Sequence, residues 1–174
     1  MSAESGHGSN NRVYRGTYDS DTPIIIRMPR RKSDTERTAY ATWEFKHTMV
    51  ASRLGVAPIV YDSWYNRHST KKQKSGLYLV QEYFPTDLFN AFDEYQEEVI
   101  DNKQKLETLI ESHLRKLADA EMLAYDLKPA NIVVRFDDNI DLKIIDFGRE
   151  FCEHSPSMTS DEKDRRTPMT TIAK

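Results

Sequence analysis

Apolar positions along this chain switch between a period of two and a helical period, and the switches mark out its elements. Arg12 to Tyr18 and Pro23 to Met28, the latter holding the β-branched run Ile24, Ile25, Ile26, fit two strands joined as a hairpin by the polar turn at Asp19 to Thr22. Ser33 or Asp34 can cap a following helix with Glu36 in its first turn, and Tyr40, Trp43, Val50 and Leu54 recur at helical spacing until Gly55 ends it. A strand over Val56 to Tyr61, a lysine-rich turn at Lys71 to Ser75 and a strand over Leu77 to Tyr83, stopped by Pro85, come next. Leu106, Leu109, Ile110, Leu114, Leu117 and Met122 line one face of a helix expected from about Asp101 to Glu121. Two short β-rich runs, Ile132 to Arg135 and Leu142 to Ile145, flank the acidic turn Asp137 to Asp141 and read as a hairpin. Residues 1–11 carry Gly, Ser, Asn and charge without periodicity and are expected to be flexible unless a ligand orders them. The chain past Glu153 is polar and patternless. The order of elements predicts an α+β fold, sheet-rich first and helical second. There is no internal repeat.

Composition narrows the function classes. With 174 residues, 38% of them hydrophobic, the chain can bury one core or two small lobes. The net charge of −3, with both signs interspersed, argues against a nucleic-acid binder, and Arg30, Arg31 and Lys32 read as a solvated turn. No apolar run reaches the length of a membrane span and no charged-then-apolar leader follows Met1, so a soluble chain is expected, outside membranes. Cys152 has no internal disulfide partner, which fits a reducing compartment, cytoplasm or nucleus, and it reads as an inert thiol.

Chemistry gathers at the ends of the second hairpin. Tyr125-Asp126-Leu127-Lys128-Pro129-Ala130-Asn131 precedes it and Ile145-Asp146-Phe147-Gly148 follows it. Closing the hairpin brings Asn131 and Asp146 together as two hard oxygen ligands of the kind Mg²⁺ accepts while it keeps waters and takes phosphate oxygens. Asp126 faces the same spot, where a carboxylate can orient and deprotonate a hydroxyl nucleophile, and Lys128 can offset charge on a transferring phosphoryl group. The set suits phosphoryl transfer.

The order D-L-K-P-x-N, hairpin, D-F-G resembles the catalytic and metal-binding loops of the protein kinase superfamily, serine/threonine type. The resemblance covers roughly Gly6 to Gly148. Gly6-His7-Gly8-Ser9-Asn10-Asn11-Arg12-Val13 looks like the family's glycine-rich phosphate loop, with Asn11 in place of the third glycine. Ile24-Ile25-Ile26-Arg27 stands where the family has V-A-I-K, and Glu44 matches its ion-pairing glutamate. Leu79-Val80-Gln81-Glu82-Tyr83-Phe84 resembles the strand and hinge that hold adenine. There Gln81 would be the gatekeeper and the backbones of Glu82 and Phe84 the adenine contacts. The resemblance implies ATP and Mg²⁺ as cofactors, Asp126 and Lys128 as catalytic groups, Asn131 and Asp146 as metal ligands, and Gly6, Gly8, Val13, Arg27, Glu44, Glu82 and Phe84 around the nucleotide. It implies a glycine-rich loop in 1–11, a smaller lobe and hinge over 12–84, the first part of a larger lobe over 85–152 and a polar tail over 153–174.

The departures are as specific as the matches. Arg27 replaces the family lysine, and a flat guanidinium is not a neutral exchange for a point-charge ammonium. Ala124-Tyr125 replaces the His-Arg before the catalytic aspartate, removing the usual receiver of an activation-loop phosphate. The sequence shows no A-P-E and no later amphipathic helices, so the face of the long helix around Leu109 and Leu117 is expected to lie exposed and to recruit a partner or a second copy. Three readings follow: a compact Ser/Thr protein kinase, a pseudokinase acting by docking a partner, and a small-molecule phosphotransferase suggested by Leu54-Gly55-Val56-Ala57-Pro58.

Overall fold

The computed structural model describes residues 4–7, 11–19, 21–29, 35–67, 75–124, 127–148 and 152–154. Its architecture is α+β, with antiparallel strands and four helices among these residues. The chain divides into two units, residues 1–46 with 58–83 and residues 47–57 with 84–174.

The first unit holds a five-stranded antiparallel sheet built from β1 (Glu4–His7), β2 (Asn11–Tyr18), β3 (Thr22–Pro29), β4 (Val60–Asn66) and β5 (Gly76–Glu82), in the order β1-β2-β3-β5-β4. The β2–β3 hairpin pairs Tyr18 with Thr22 and Val13 with Arg27, and Asp19 takes a positive φ of 45° in the turn. β5 lies between β3 and β4 and buries the consecutive residues Tyr78, Leu79 and Val80, as expected of a strand covered on both faces. β1 lies in the stretch expected to be flexible. Its order comes from pairing with β2, Gly6 opposite Val13, and not from any apolar pattern of its own.

Helix α1 (Thr35–Arg53) contributes residues 35–46 to the first unit and 47–53 to the second. Gly55 follows at φ 72°, where a residue with a Cβ would be strained. The amides of Val56 and Ala57 turn back to the Ala51 carbonyl at 2.8 and 3.1 Å. That turn consumes the start of the strand expected from Val56, so β4 begins only at Val60.

In the second unit β6 (Thr86–Asp87) leads into α2 (Leu88–Glu94), capped by the Asp87 carboxylate, which accepts the Asn90 amide at 3.0 Å. α3 (Gln96–Asp101) and α4 (Lys103–Asp119) follow; α4 is the helix expected from about Asp101, and α3, which abuts it at Asn102, was not foreseen. The side-chain amide of Asn102 donates to the Glu98 carbonyl at 2.9 Å, closing α3 where α4 begins. Glu121, at φ 58°, turns the chain into β7 (Met122–Ala124). β8 (Ile132–Phe136) and β9 (Ile140–Ile144) form the expected hairpin, in a sheet ordered β6-β8-β9. β10 (Cys152–His154) pairs with β7, Cys152 opposite Ala124, at the edge of the stretch that looked patternless.

Leu106, Ile110, Leu114 and Leu117 of α4 are buried with Ile132, Val134, Leu142 and Phe147, and Leu109 packs partly against them. The apolar face expected to lie exposed is therefore inside, covered by β7 and by the β8–β9 hairpin. Truncating Leu117, which is 1% exposed, to alanine should cost about 2–5 kcal/mol in a denaturant titration.

His113 also sits on the buried stripe of α4. One ring nitrogen, Nε2, lies 2.7 Å from the Leu142 carbonyl and so donates to it, whereas Nδ1 is buried with no partner among the described residues. Burial holds the imidazole below its ordinary value near 6.5. The carbonyl bond opposes this, Lys143 and Lys116 add to it, and Asp141 opposes it weakly. Because the folded state resists the proton that the unfolded state accepts, His113 lowers stability as pH falls below about 6.5 and has no effect well above it. Thermal midpoints measured across that window should fall with acidification in the wild type, and the fall should shrink in a His113→Gln variant, which keeps a donor without titrating.

Candidate functional site

The local sequence around Asn131 explains its geometry. Leu127 is buried, and Lys128 is held extended before Pro129, as a residue preceding proline prefers. Pro129, Ala130 and Asn131 then make one tight helical turn, with the Asn131 amide donating to the Lys128 carbonyl at 2.8 Å. The turn leaves Lys128 exposed and Asn131 buried at the mouth of the hairpin.

The other side of the mouth is Ile145 to Gly148. The Ile145 amide donates to the Asn131 carbonyl at 2.9 Å, extending the hairpin register one step past the Ile132–Ile144 pair. Asp146 is the next residue. It takes φ 69°, a left-handed conformation that Asp and Asn tolerate better than other non-glycine residues, while Phe147 is driven into the core at 1% exposure. Closure of the hairpin thus brings Asn131 and Asp146 to the same end of the β8–β9 ladder. Both carry hard oxygen donors, the ligand type that Mg²⁺ accepts. Among the described residues no group of three or more His, Cys, Asp and Glu gathers to hold a metal by protein ligands alone. Asp126 lies outside the described residues.

The β8–β9 hairpin carries its own charge network. Asp141 receives Arg135 and Lys143 at 2.9 Å each, and the Arg135 guanidinium lies 4.4 Å over the Phe84 ring. Burial alone would raise the Asp141 carboxyl, but its bonds to the two cations outweigh that and the net shift is downward. The network fastens Phe84, itself buried, to β8.

In the first unit Arg27 lies in mid-sheet, between Val13 of β2 and Leu79 of β5. Its Nη2 meets the Glu44 carboxylate of α1 in an ion pair, with both side chains only 18% exposed. The pair expected from the sequence is therefore formed. Glu82 pairs its backbone with Ile59 (amide to carbonyl, 2.8 Å) and accepts the Ile59 amide on its carboxylate at 3.2 Å. Gln81 is buried in β5 at 2% exposure. Gly6 lies on β1 opposite Val13, and Gly8 falls outside the described residues.

Two contributions were not legible in the sequence. The Val56 carbonyl accepts the Ile144 amide at 2.8 Å, and His113 takes the Leu142 carbonyl, so β9 is held along its outer edge by groups distant in sequence. No protein-family model and no curated protein matches this chain.

Arg27→Ala and Glu44→Ala should each cost about 1–2 kcal/mol, between the values typical of exposed and buried ion pairs. The double variant should cost less than the two losses added, as read in a double-mutant cycle by chemical denaturation.

Proposed function

We propose that this chain is a protein-kinase-like phosphotransferase that moves the γ-phosphoryl group of ATP to Ser or Thr hydroxyls of protein. The observation that carries the reading is the Ile145–Asn131 bond, which brings the Asn131 and Asp146 positions to one hairpin mouth, in the order the family uses for its metal ligands.

In this reading Arg27, steadied by Glu44, supplies the positive charge that meets the nucleotide phosphates. Asn131 and Asp146 would hold Mg²⁺, which would supply charge neutralisation at the phosphate oxygens. Asp126 orients the acceptor hydroxyl and takes its proton as the new P–O bond forms and the bond to ADP breaks. Lys128, exposed beside the Asn131 turn, offsets charge on the phosphoryl group in transit. Phe147 in the core and the left-handed backbone at Asp146 keep that carboxylate at a fixed point, so little reorganisation is left for the reaction step.

A second reading rests on Arg27. A guanidinium where the family has lysine reaches phosphate as a broad fork, and a chain that binds nucleotide with it but transfers nothing would act as a docking module.

Purified chain should bind ATP in a Mg²⁺-dependent way and transfer labelled phosphate to itself or to a Ser/Thr-rich protein. Asp126→Asn should lower transfer about 100- to 10,000-fold with nucleotide binding retained. Asp146→Asn should stay folded, since asparagine tolerates the same backbone, yet lose the Mg²⁺ dependence of binding. Mg²⁺-independent binding without transfer supports the docking module, and no binding at all sinks both readings.

A further inference from the structure

The second unit leaves two neighbouring phenylalanines open on α2. Leu88 and Ala91 turn inward, whereas Phe89 and Phe92, one turn apart, are 63% and 49% exposed. Two phenylalanines offered to water on a seven-residue helix are costly to keep unless something covers them. Along α2 and α3 themselves the charge has one sign. From Asp87 to Asn102 the sequence has no Lys, Arg or His, and Asp93, Glu94, Glu97 and Glu98 are all exposed.

We infer that the α2–α3 face is a docking surface for a basic protein segment that carries apolar side chains at helical spacing. Phe89 and Phe92 supply the anchor, because aromatic area removed from water provides affinity, and the acidic residues select the partner's sign and speed its approach. The charge decides among occupants. A second copy of this chain would bring the same acidic face against itself in a two-fold contact, where like charges repel, and anionic lipid would be repelled too. A basic amphipathic segment satisfies the apolar pair and the carboxylates together. The α4 face that the sequence offered for a partner is buried, so recruitment falls to this surface instead. The inference does not depend on phosphoryl transfer, as none of these residues belongs to the hairpin mouth.

The test uses the full chain and a fluorescent peptide with leucines at i, i+3 and i+7 among arginines, beside the same peptide with glutamates for the arginines. Anisotropy should show binding of the basic peptide alone, weakening steeply with added salt. Glu94→Lys with Glu97→Lys should weaken binding about tenfold or more, and Phe89→Ser with Phe92→Ser should do so with a shallower salt dependence. All four positions are exposed, so the variants should keep the wild-type thermal midpoint. Equal binding of both peptides, or unchanged binding by both double variants, overturns the inference. So does sedimentation showing that the wild type dimerises and the Phe89→Ser/Phe92→Ser variant does not, since the occupant would then be a second copy.

Discussion

The outer edge of β9 is the constraint on which the second unit depends. An edge strand presents alternate amides and carbonyls with no ladder partner, and each such group left buried and unpaired carries a penalty. On β9 the outward groups belong to Leu142 and Ile144. The Leu142 carbonyl is taken by His113 of α4 and the Ile144 amide by the carbonyl of Val56, while the next amide, Ile145, turns inward to Asn131. Three elements far apart in sequence thereby converge on the last residues before Asp146.

This convergence couples folding to the site. The long helix is held to β9 by a neutral imidazole as well as by leucines, so the polar bond is bought with a ring that resists protonation. The turn after α1 reaches β9 through a backbone carbonyl, and it can do so because Gly55 accepts a left-handed conformation. Asp146 then departs from the sheet on a positive φ with Phe147 buried behind it, and the hairpin mouth is left with Asn131 on one side and Asp146 on the other. The first unit has a separate anchor, the Arg27–Glu44 pair between the middle of its sheet and α1, where an isolated guanidinium in mid-sheet would be expensive.

How much of this was legible depended on whether a signal was local. The β2–β3 and β8–β9 hairpins follow from β-branched runs around polar turns, and α4 from its apolar stripe. α3 was hidden because its six residues bury only Val99 and so show no apolar stripe, and β1 and β10 were hidden because short strands without apolar alternation exist only through their neighbours. The expected partner face on α4 failed for a related reason: the sequence shows that a stripe is apolar but not whether β7 and the hairpin cover it.

For the site, the sequence by itself determined the kinds of groups and their order: hard oxygen donors at either end of one hairpin, a lysine beside them, and an arginine and glutamate whose pairing only the family resemblance implied. These are properties of residue type and spacing, which the chain carries with it unfolded. Only the tertiary structure decided that β9 is held at Leu142 and Ile144 by His113 and Val56, that α4 is covered, and that Phe89 and Phe92 are left in water. Those outcomes arise because unpaired backbone groups and apolar surface must find partners, and where they find them depends on which distant segments the fold brings alongside.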